Sequence, residues 1–268
     1  MLFRSKLALK LGRPVKITLT REEIFYCHRG RHPVQMYIKT GFKKDGTLTS
    51  QHLRTMLDGG AFGSYGVAST YYTGALQTTA YKLPNYWFEG ARVFTNKPPC
   101  GPKRGHGTPQ PRFAYEIHLD KAAHALGIDP AELRLRNAVE PNSITANWLR
   151  IGTTGLKACI DAVVKGSNWK DRYGKLPEGR GLGIACSAYL TGAGLPIYWN
   201  HMPQSGVQIQ LDRSGNVAVF CGEAEIGQGS DSVIAVIVAE VLGIDLKDRK
   251  STRLNSSHMS ESRMPSSA

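Results

Sequence analysis

The segment from Pro99 to Gln110 constrains the fold of this chain more than any other stretch of similar length. It reads Pro-Cys-Gly-Pro-Lys-Arg-Gly-His-Gly-Thr-Pro-Gln, so half of its residues are proline or glycine. Proline lacks the amide hydrogen that helices and sheets use, and glycine favours turns. The sequence therefore predicts a stiff loop that presents Arg104. Such a loop is a common place for binding or catalytic side chains, although the composition is equally compatible with an ordinary connection.

The longer segment Thr-Asn-Lys-Pro-Pro-Cys-Gly-Pro-Lys-Arg-Gly-His-Gly-Thr-Pro-Gln, residues 95–110, resembles the active-site arginine loop of the xanthine oxidase family of molybdenum hydroxylases. Its Cys-Gly-Pro-Lys-Arg variant is most similar to the large (alpha) subunit of 4-hydroxybenzoyl-CoA reductase. The resemblance implies that Arg104 is the catalytic arginine of the substrate pocket. It makes Cys100, Lys103 and His106 candidates for contacts to the substrate or to the molybdenum ligands. A buried structural thiol and a hydrogen-bonded histidine are an equally good interpretation of Cys100 and His106.

A second informative segment, Glu-Ile-Gly-Gln-Gly-Ser at residues 225–230, lies between a predicted strand and a predicted helix. Gly227 and Gly229 let the backbone approach an anion, and the start of a helix supplies unpaired amide groups. Gln228 offers both a donor and an acceptor. The pattern alone is equally compatible with a plain strand-to-helix turn. The resemblance implies that Gly227, Gln228 and Gly229 bind the molybdopterin cofactor.

The same resemblance implies that an arginine of the Leu-Arg-Leu-Arg-Asn segment, residues 133–137, lies near the cofactor's phosphate. Arg134 and Arg136 are two positions apart, so a helix directs them to different sides. We assign the role to Arg136, with a solvated helix face as the alternative. No Gly-x-Gly-Glu segment of the kind that carries the family's base occurs in the chain, so no general base is assigned.

The histidines and cysteines show no spacing typical of metal sites. None of the five cysteines forms Cys-x-x-Cys, and a glycine and a proline interrupt any helix joining His28 and His32. We therefore expect no metal-binding side chains; in this family the pterin holds the molybdenum. Iron–sulfur clusters and FAD are expected on partner subunits. An odd number of scattered cysteines predicts free thiols and a cytoplasmic location.

The net charge of +13 does not by itself indicate a nucleic-acid-binding protein. Residues 1–50 hold eleven lysines and arginines against three acidic residues, so much of the excess is local. No recognition-helix or aromatic stacking pattern accompanies it, and we expect solvated side chains rather than a nucleic-acid partner. No apolar run approaches the length of a membrane span.

The alternation of hairpin and helix patterns predicts an α+β fold in two lobes, the molybdopterin-binding region of a xanthine oxidase-type large subunit. We expect the first lobe at 1–140, a connection at 141–153 and the second lobe at 154–248. Residues 249–268 are rich in serine and are predicted to be a disordered, non-native tail. We expect a fragment that is incomplete at both ends.

Within these lobes, residues 13–20 and 181–189 alternate as strands do, and Asp45-Gly46 predicts a hairpin. Pro111 to Leu126 is predicted to be a helix with Phe113 and Ile117 facing inward.

The predicted function is that of a catalytic-subunit fragment that removes the phenolic hydroxyl of 4-hydroxybenzoyl-CoA, an aromatic acyl-CoA substrate. Iron–sulfur and FAD subunits would be its partners, and the fragment alone is expected to be inactive. One alternative is a molybdenum hydroxylase of aldehydes or N-heterocycles. Another, from a different class, is an inactive remnant or an anion-binding module.

Overall fold

The computed structural model describes residues 2–189, 206–213, 215–222, 225, 227–244 and 252–256. The chain forms two compact units, Met1–Thr191 and Gly192–Ala268. The first unit thus includes residues 154–189, which the sequence assigned to the second lobe. The reason is packing, because Ile160 and Cys186 are buried in the core of the first unit.

The first unit combines seven α-helices with two sheets within its described residues. The helices are α1 (Leu2–Leu11), α2 (Arg21–Cys27), α3 (Gly66–Ala75), α4 (Pro109–Leu126), α5 (Pro130–Asn137), α6 (Leu156–Gly166) and α7 (Trp169–Arg172). The strands are β1 (Val34–Phe42), β2 (Leu48–Asp58), β3 (Tyr86–Val93), β4 (Ser143–Ile144) and β5 (Arg150–Ile151). Strand β1 pairs with β2 as the predicted antiparallel hairpin, and β3 pairs with β2 in parallel after the chain has crossed over through α3. Strands β4 and β5 form a separate small hairpin.

Helix boundaries in this unit follow local capping chemistry. Helix α2 begins at a capping box in which the side chains of Thr20 and Glu23 each accept from the other residue's amide. At the start of α5, the Asp129 carboxylate accepts from the amides of Ala131 and Glu132, and Pro130 occupies the first helical position. The starts of α2 and α5 are therefore set by capping residues that the sequence displays.

Helix α4 exists as predicted but buries a different face. Phe113 is 70% exposed and Ile117 is 43% exposed, so the prediction that they face inward is wrong. Tyr115, Leu119 and Ala123 are buried instead. The helix carries two apolar stripes, and the spacing of the residues alone does not decide which stripe faces the core.

A buried ion pair joins α4 to α5. The Arg134 side chain is fully buried; its Nε donates to a Glu116 carboxylate oxygen at 2.8 Å, and its Nη2 donates to the Glu116 backbone carbonyl at 3.0 Å. The Tyr81 hydroxyl donates to the same carboxylate at 2.8 Å. A charge removed from water is tolerated only when it is paired in this way. The pair thus fixes α5 against the helix that follows the arginine loop.

Within its described residues, the second unit is built around a sheet and one apolar helix. Strand β6 (Val207–Leu211) pairs antiparallel with β7 (Val217–Cys221), and β8 (Thr252–Ser256) pairs in parallel with β7. Helix α8 spans Ser230–Leu242, and its Val238 packs on the valines of β7. Residues 252–256 thus form a strand, and the rest of the segment 249–268, which the sequence predicts to be a disordered, non-native tail, lies outside the described residues.

Two further expectations from the sequence were wrong. Residues 13–20 and 181–189 alternate as strands do, yet neither segment forms a strand. Alternation describes a strand only where a neighbouring strand supplies hydrogen-bond partners.

Of the helices described, none is long and apolar enough to cross a membrane.

Candidate functional site

The loop around Arg104 begins where two parallel strands end side by side. Strand β2 ends at Asp58 and β3 ends at Val93, and these two residues are register partners. The Asp58 carboxylate accepts from the Thr95 hydroxyl at 2.6 Å and from the Lys97 ammonium at 2.5 Å. These hydrogen bonds lower the pKa of Asp58 to about 2, and the bond from Lys97 has the largest effect. Asp58 therefore anchors the start of the loop as a carboxylate.

The glycine-rich segment 59–63 holds the next part of the loop. The Cys100 amide donates to the Gly59 carbonyl at 3.0 Å, and the Ala61 amide donates to the Lys97 carbonyl at 3.0 Å. Sequence reasoning missed the contact of this segment with the arginine loop. The aspartate and two glycines directly after a strand were the signal that could have indicated it.

Four consecutive residues of the loop have left-handed backbone conformations. The φ angles are 21° at Arg104, 90° at Gly105, 53° at His106 and 100° at Gly107. A Cβ atom on Gly107 would lie 2.2 Å from the backbone oxygen of Ser69 in α3, so the loop packs directly on that helix. Such a run of unusual conformations persists only where the surroundings hold it.

This backbone presents the Arg104 side chain outward. Arg31 donates through Nη2 to the Arg104 backbone oxygen at 2.9 Å, while the Arg104 side chain is exposed. Its guanidinium takes part in no hydrogen bond or ion pair with the rest of the described chain. The predicted geometry, a fixed backbone with an available guanidinium, is thus present.

The three other loop candidates have different surroundings. Lys103 is exposed. The His106 ring lies 5.4 Å from that of Tyr65 and 5.2 Å from that of Tyr72, and its buried Nε2 has no hydrogen-bond partner in the described chain. Burial lowers the pKa of His106, which favours a neutral imidazole at pH 7.

Cys100, by contrast, is buried with its thiol 3.9 Å from the Pro98 carbonyl oxygen. Burial raises the pKa of the thiol, so Cys100 is not a reactive thiolate. This is the environment of a structural thiol, and a contact from Cys100 to substrate stays a prediction.

The Gly-Gln-Gly turn of the second unit surrounds an anionic group of its own. The Glu225 carboxylate accepts from the amides of Gly227 at 2.6 Å and Gly229 at 3.1 Å, and from the Ser230 hydroxyl at 3.2 Å. These donors, that of Gly229 foremost, lower the pKa of Glu225 to about 2. Gln228 donates through Nε2 to the Ser230 hydroxyl at 2.8 Å. The predicted convergence of amide groups at the start of α8 is therefore present, and Glu225 occupies it.

The two arginines of α5 do point to different sides. Arg136 is partly exposed and donates to Glu132 at 2.9 Å, one helical turn earlier, while Arg134 is buried. An exposed ion pair between residues one helical turn apart is typical of a solvated helix face. The role of Arg136 at a cofactor phosphate stays a prediction.

Comparison with known families identifies both halves of the chain. Residues 4–138 match one molybdopterin cofactor-binding domain, and residues 160–266 match a second. The gap between the two matches contains the connection predicted at 141–153.

Individual relatives agree with this result. The chain is 35% identical over 248 residues to the xanthine dehydrogenase molybdenum-binding subunit of Escherichia coli O157:H7, covering 88% of this chain and 32% of that protein. It is 28% identical over 228 residues to aldehyde oxidoreductase of Megalodesulfovibrio gigas, covering 84% of this chain and 24% of the relative.

Among solved structures, quinoline 2-oxidoreductase from Pseudomonas putida 86 aligns with a TM-score of 0.75 and 26% identity. The alignment covers 95% of this chain and 34% of that one, so the chain spans about a third of the length of such relatives. The chain therefore belongs to the molybdopterin-binding domains of the xanthine oxidase family.

Proposed function

We propose that this chain is part of the molybdenum-binding subunit of an oxidoreductase that hydroxylates N-heterocycles or aldehydes. The observation that carries the proposal is the loop of left-handed residues that presents Arg104, within a chain whose two halves both match molybdopterin-binding domains. The relatives named above act, by their names, on xanthine, quinoline or aldehydes. They support the hydroxylase alternative better than removal of a hydroxyl from 4-hydroxybenzoyl-CoA.

The turn at the start of α8 has donors that fit the cofactor. Its amides and the Ser230 hydroxyl already hold a carboxylate, which shows that they converge on an anionic acceptor. An added Cβ on Gly229 would meet nothing within 4 Å, so there is open space beside the turn. Gly227, Gln228 and Gly229 would hold the molybdopterin, with Arg136 at its phosphate. When bound, the cofactor would supply the redox chemistry.

The loop residues would act on the substrate. The Arg104 guanidinium would anchor or polarise an oxygen as negative charge develops on it. The neutral His106 ring would offer one nitrogen as a donor or an acceptor to the substrate, and Lys103 would add a second cation. Iron–sulfur and FAD subunits would be the partners that exchange electrons with this subunit.

The proposal is tested by cofactor binding and then by activity. The chain would be produced in a host that makes molybdopterin, and its bound pterin and molybdenum would be measured by fluorescence of the released pterin and by elemental analysis. We expect Gln228→Leu to lower the bound pterin and Arg104→Met to leave it unchanged. Lys165→Met, a change near the end of α6, is the matched control.

Activity would be measured with a dye as electron acceptor, in the chain combined with its natural partners. We expect turnover of a heterocycle or aldehyde such as quinoline or benzaldehyde, and its loss in Arg104→Met. Turnover of 4-hydroxybenzoyl-CoA alone, measured with a reduced dye as the electron donor, would instead establish the reductive reaction. A chain that retains no pterin under these conditions would contradict the proposal.

A further inference from the structure

A cleft of about 770 Å³ runs along one side of α4 in the first unit. It begins at Gly105 of the arginine loop and continues along the helix to Asp120. The segment 183–187 and Tyr189 form its opposite wall. Apart from Gly105 in the arginine loop, no residue of this cleft belongs to the substrate or cofactor roles proposed above.

Arg112 is the unusual side chain in this cleft. It is only 4% exposed, and its one side-chain hydrogen bond to the described residues runs from Nη2 to the Leu76 carbonyl oxygen at 2.8 Å. Its Nε and Nη1 groups have no hydrogen-bond partner, and it forms no ion pair with any carboxylate in the described part of the chain. Burying a guanidinium costs several kcal/mol unless its hydrogens are bound, so such a residue indicates a missing acceptor.

The carboxylates that face the same cleft do not serve as that acceptor. Glu116 and Asp120 each lie 2.8 Å from the buried Arg134, on Nε and Nη1 respectively. Arg134 therefore engages both acids, whereas Arg112 keeps most of its donors unused.

The remaining walls are apolar and partly aromatic. Phe113 is 70% exposed and Ile117 is 43% exposed, and both line the cleft together with Ile184. An exposed aromatic ring next to a guanidinium with free donors suits a ligand that has a flat apolar body and an anionic end.

We propose that this cleft binds an aromatic carboxylic acid, with the carboxylate accepting hydrogen bonds from Arg112 and the ring lying against Phe113 and Ile117. The site lies outside the roles assigned to Arg104 and to the Gly-Gln-Gly turn. It requires neither bound molybdopterin nor turnover, so it can hold or fail independently of the proposed function.

The test measures binding of benzoate by calorimetry, with benzamide as its neutral analogue of the same shape. We expect benzoate to bind the unaltered chain about tenfold or more tightly than benzamide, because a hydrogen bond to a charged group contributes about 1.5–3 kcal/mol. In Arg112→Met this preference should disappear. Lys121→Met removes an exposed positive charge from the same helix and should leave the preference unchanged.

Equal affinities for the two compounds, or no binding of benzoate by the unaltered chain, would overturn the proposal. So would an Arg112→Met variant that keeps the preference. If that variant fails to fold, nitrogen-labelled arginine in the unaltered chain gives a second readout. Benzoate should then shift the Nε–H resonance of Arg112, and a titration that leaves this resonance in place would equally contradict the proposal.

Discussion

The arginine loop of the first unit and the Gly-Gln-Gly turn of the second both surround a carboxylate whose pKa is held near 2, but they are stabilised differently. The Asp58 carboxylate accepts from side chains 37 and 39 positions away in the sequence. The donors to Glu225 all lie within six positions of it. The loop therefore depends on the folding of the whole first unit, whereas the turn is a local structure.

This difference indicates how the loop and the turn each respond to substitutions. Changes in the core beneath α4 should displace Arg104 without touching the loop itself. Changes around Glu225 should alter the binding properties of the turn while the sheet of the second unit stays folded. The predictions that follow test this contrast, beginning with the largest expected effect.

The largest effect is expected from breaking the buried ion pair beneath the loop. Arg134→Met leaves the Glu116 carboxylate buried without its partner, which typically costs about 3–5 kcal/mol of the free energy of unfolding. Urea denaturation followed by circular dichroism would measure this change. Arg136→Met, two positions along the same helix, removes only an exposed pair and should cost less than about 1 kcal/mol. Similar losses for the two variants would show that α5 is not held by burial of Arg134.

The next effect concerns the contact between the loop and α3. Gly107→Ala places a methyl group 2.2 Å from the Ser69 backbone oxygen at a φ of 100°, and we expect a loss of about 3 kcal/mol in unfolding free energy. The matched control is Gly127→Ala at the end of α4. Its φ is 66°, but an added Cβ there would meet nothing within 4 Å. That variant should lose about 1 kcal/mol, from conformation alone.

The contrast between loop and turn also explains how much the sequence could predict. The hairpin of β1 and β2 and the start of α8 after the Gly-Gln-Gly segment depend on neighbours in the sequence, and each was predicted. The same is true of the amide groups gathered at Gly227 and Gly229. These features are local, so residue types and spacing suffice to indicate them.

What the sequence could not predict depends on distant partners. The buried face of α4 is decided by which of two apolar stripes meets the core, and the sequence assigned the core position to the exposed Phe113. The segment 181–189 has the alternation of a strand but no strand to pair with. Arg112 is unpaired because it is buried and because Glu116 forms its ion pair with Arg134. The sequence shows neither of these facts.

Acid should loosen both carboxylate sites in the same pH window. Both pKa values are lowered on folding, so the stabilisation is complete above the pKa of the unfolded chain, near 4, and is lost as pH falls towards 2. The Gly60 amide donates to the Asp58 carboxylate at 3.2 Å, and the Gly227 amide donates to that of Glu225, so hydrogen exchange of these two amides would follow the two sites separately. Asp58→Asn should remove the acid dependence at Gly60 and leave that at Gly227 intact. A loss of both together would mean that the two sites are coupled.

Glu225→Gln is expected to have the smallest effect on stability, and it gives the sharpest test of the turn. The change removes the charge that occupies the amides of Gly227 and Gly229 but keeps the size of the side chain, so the second unit should stay folded. The neutral glutamine oxygen is a weaker acceptor than the carboxylate, so an external anion can displace it more readily from these amides at the positive end of α8. Inorganic phosphate should therefore shift the Gly229 amide resonance at lower concentration than in the unaltered chain. Glu240→Gln, an exposed residue near the other end of α8, should titrate like the unaltered chain. If phosphate affects Glu225→Gln and the unaltered chain alike, Glu225 does not compete for these donors, and the amides that would hold molybdopterin are already free.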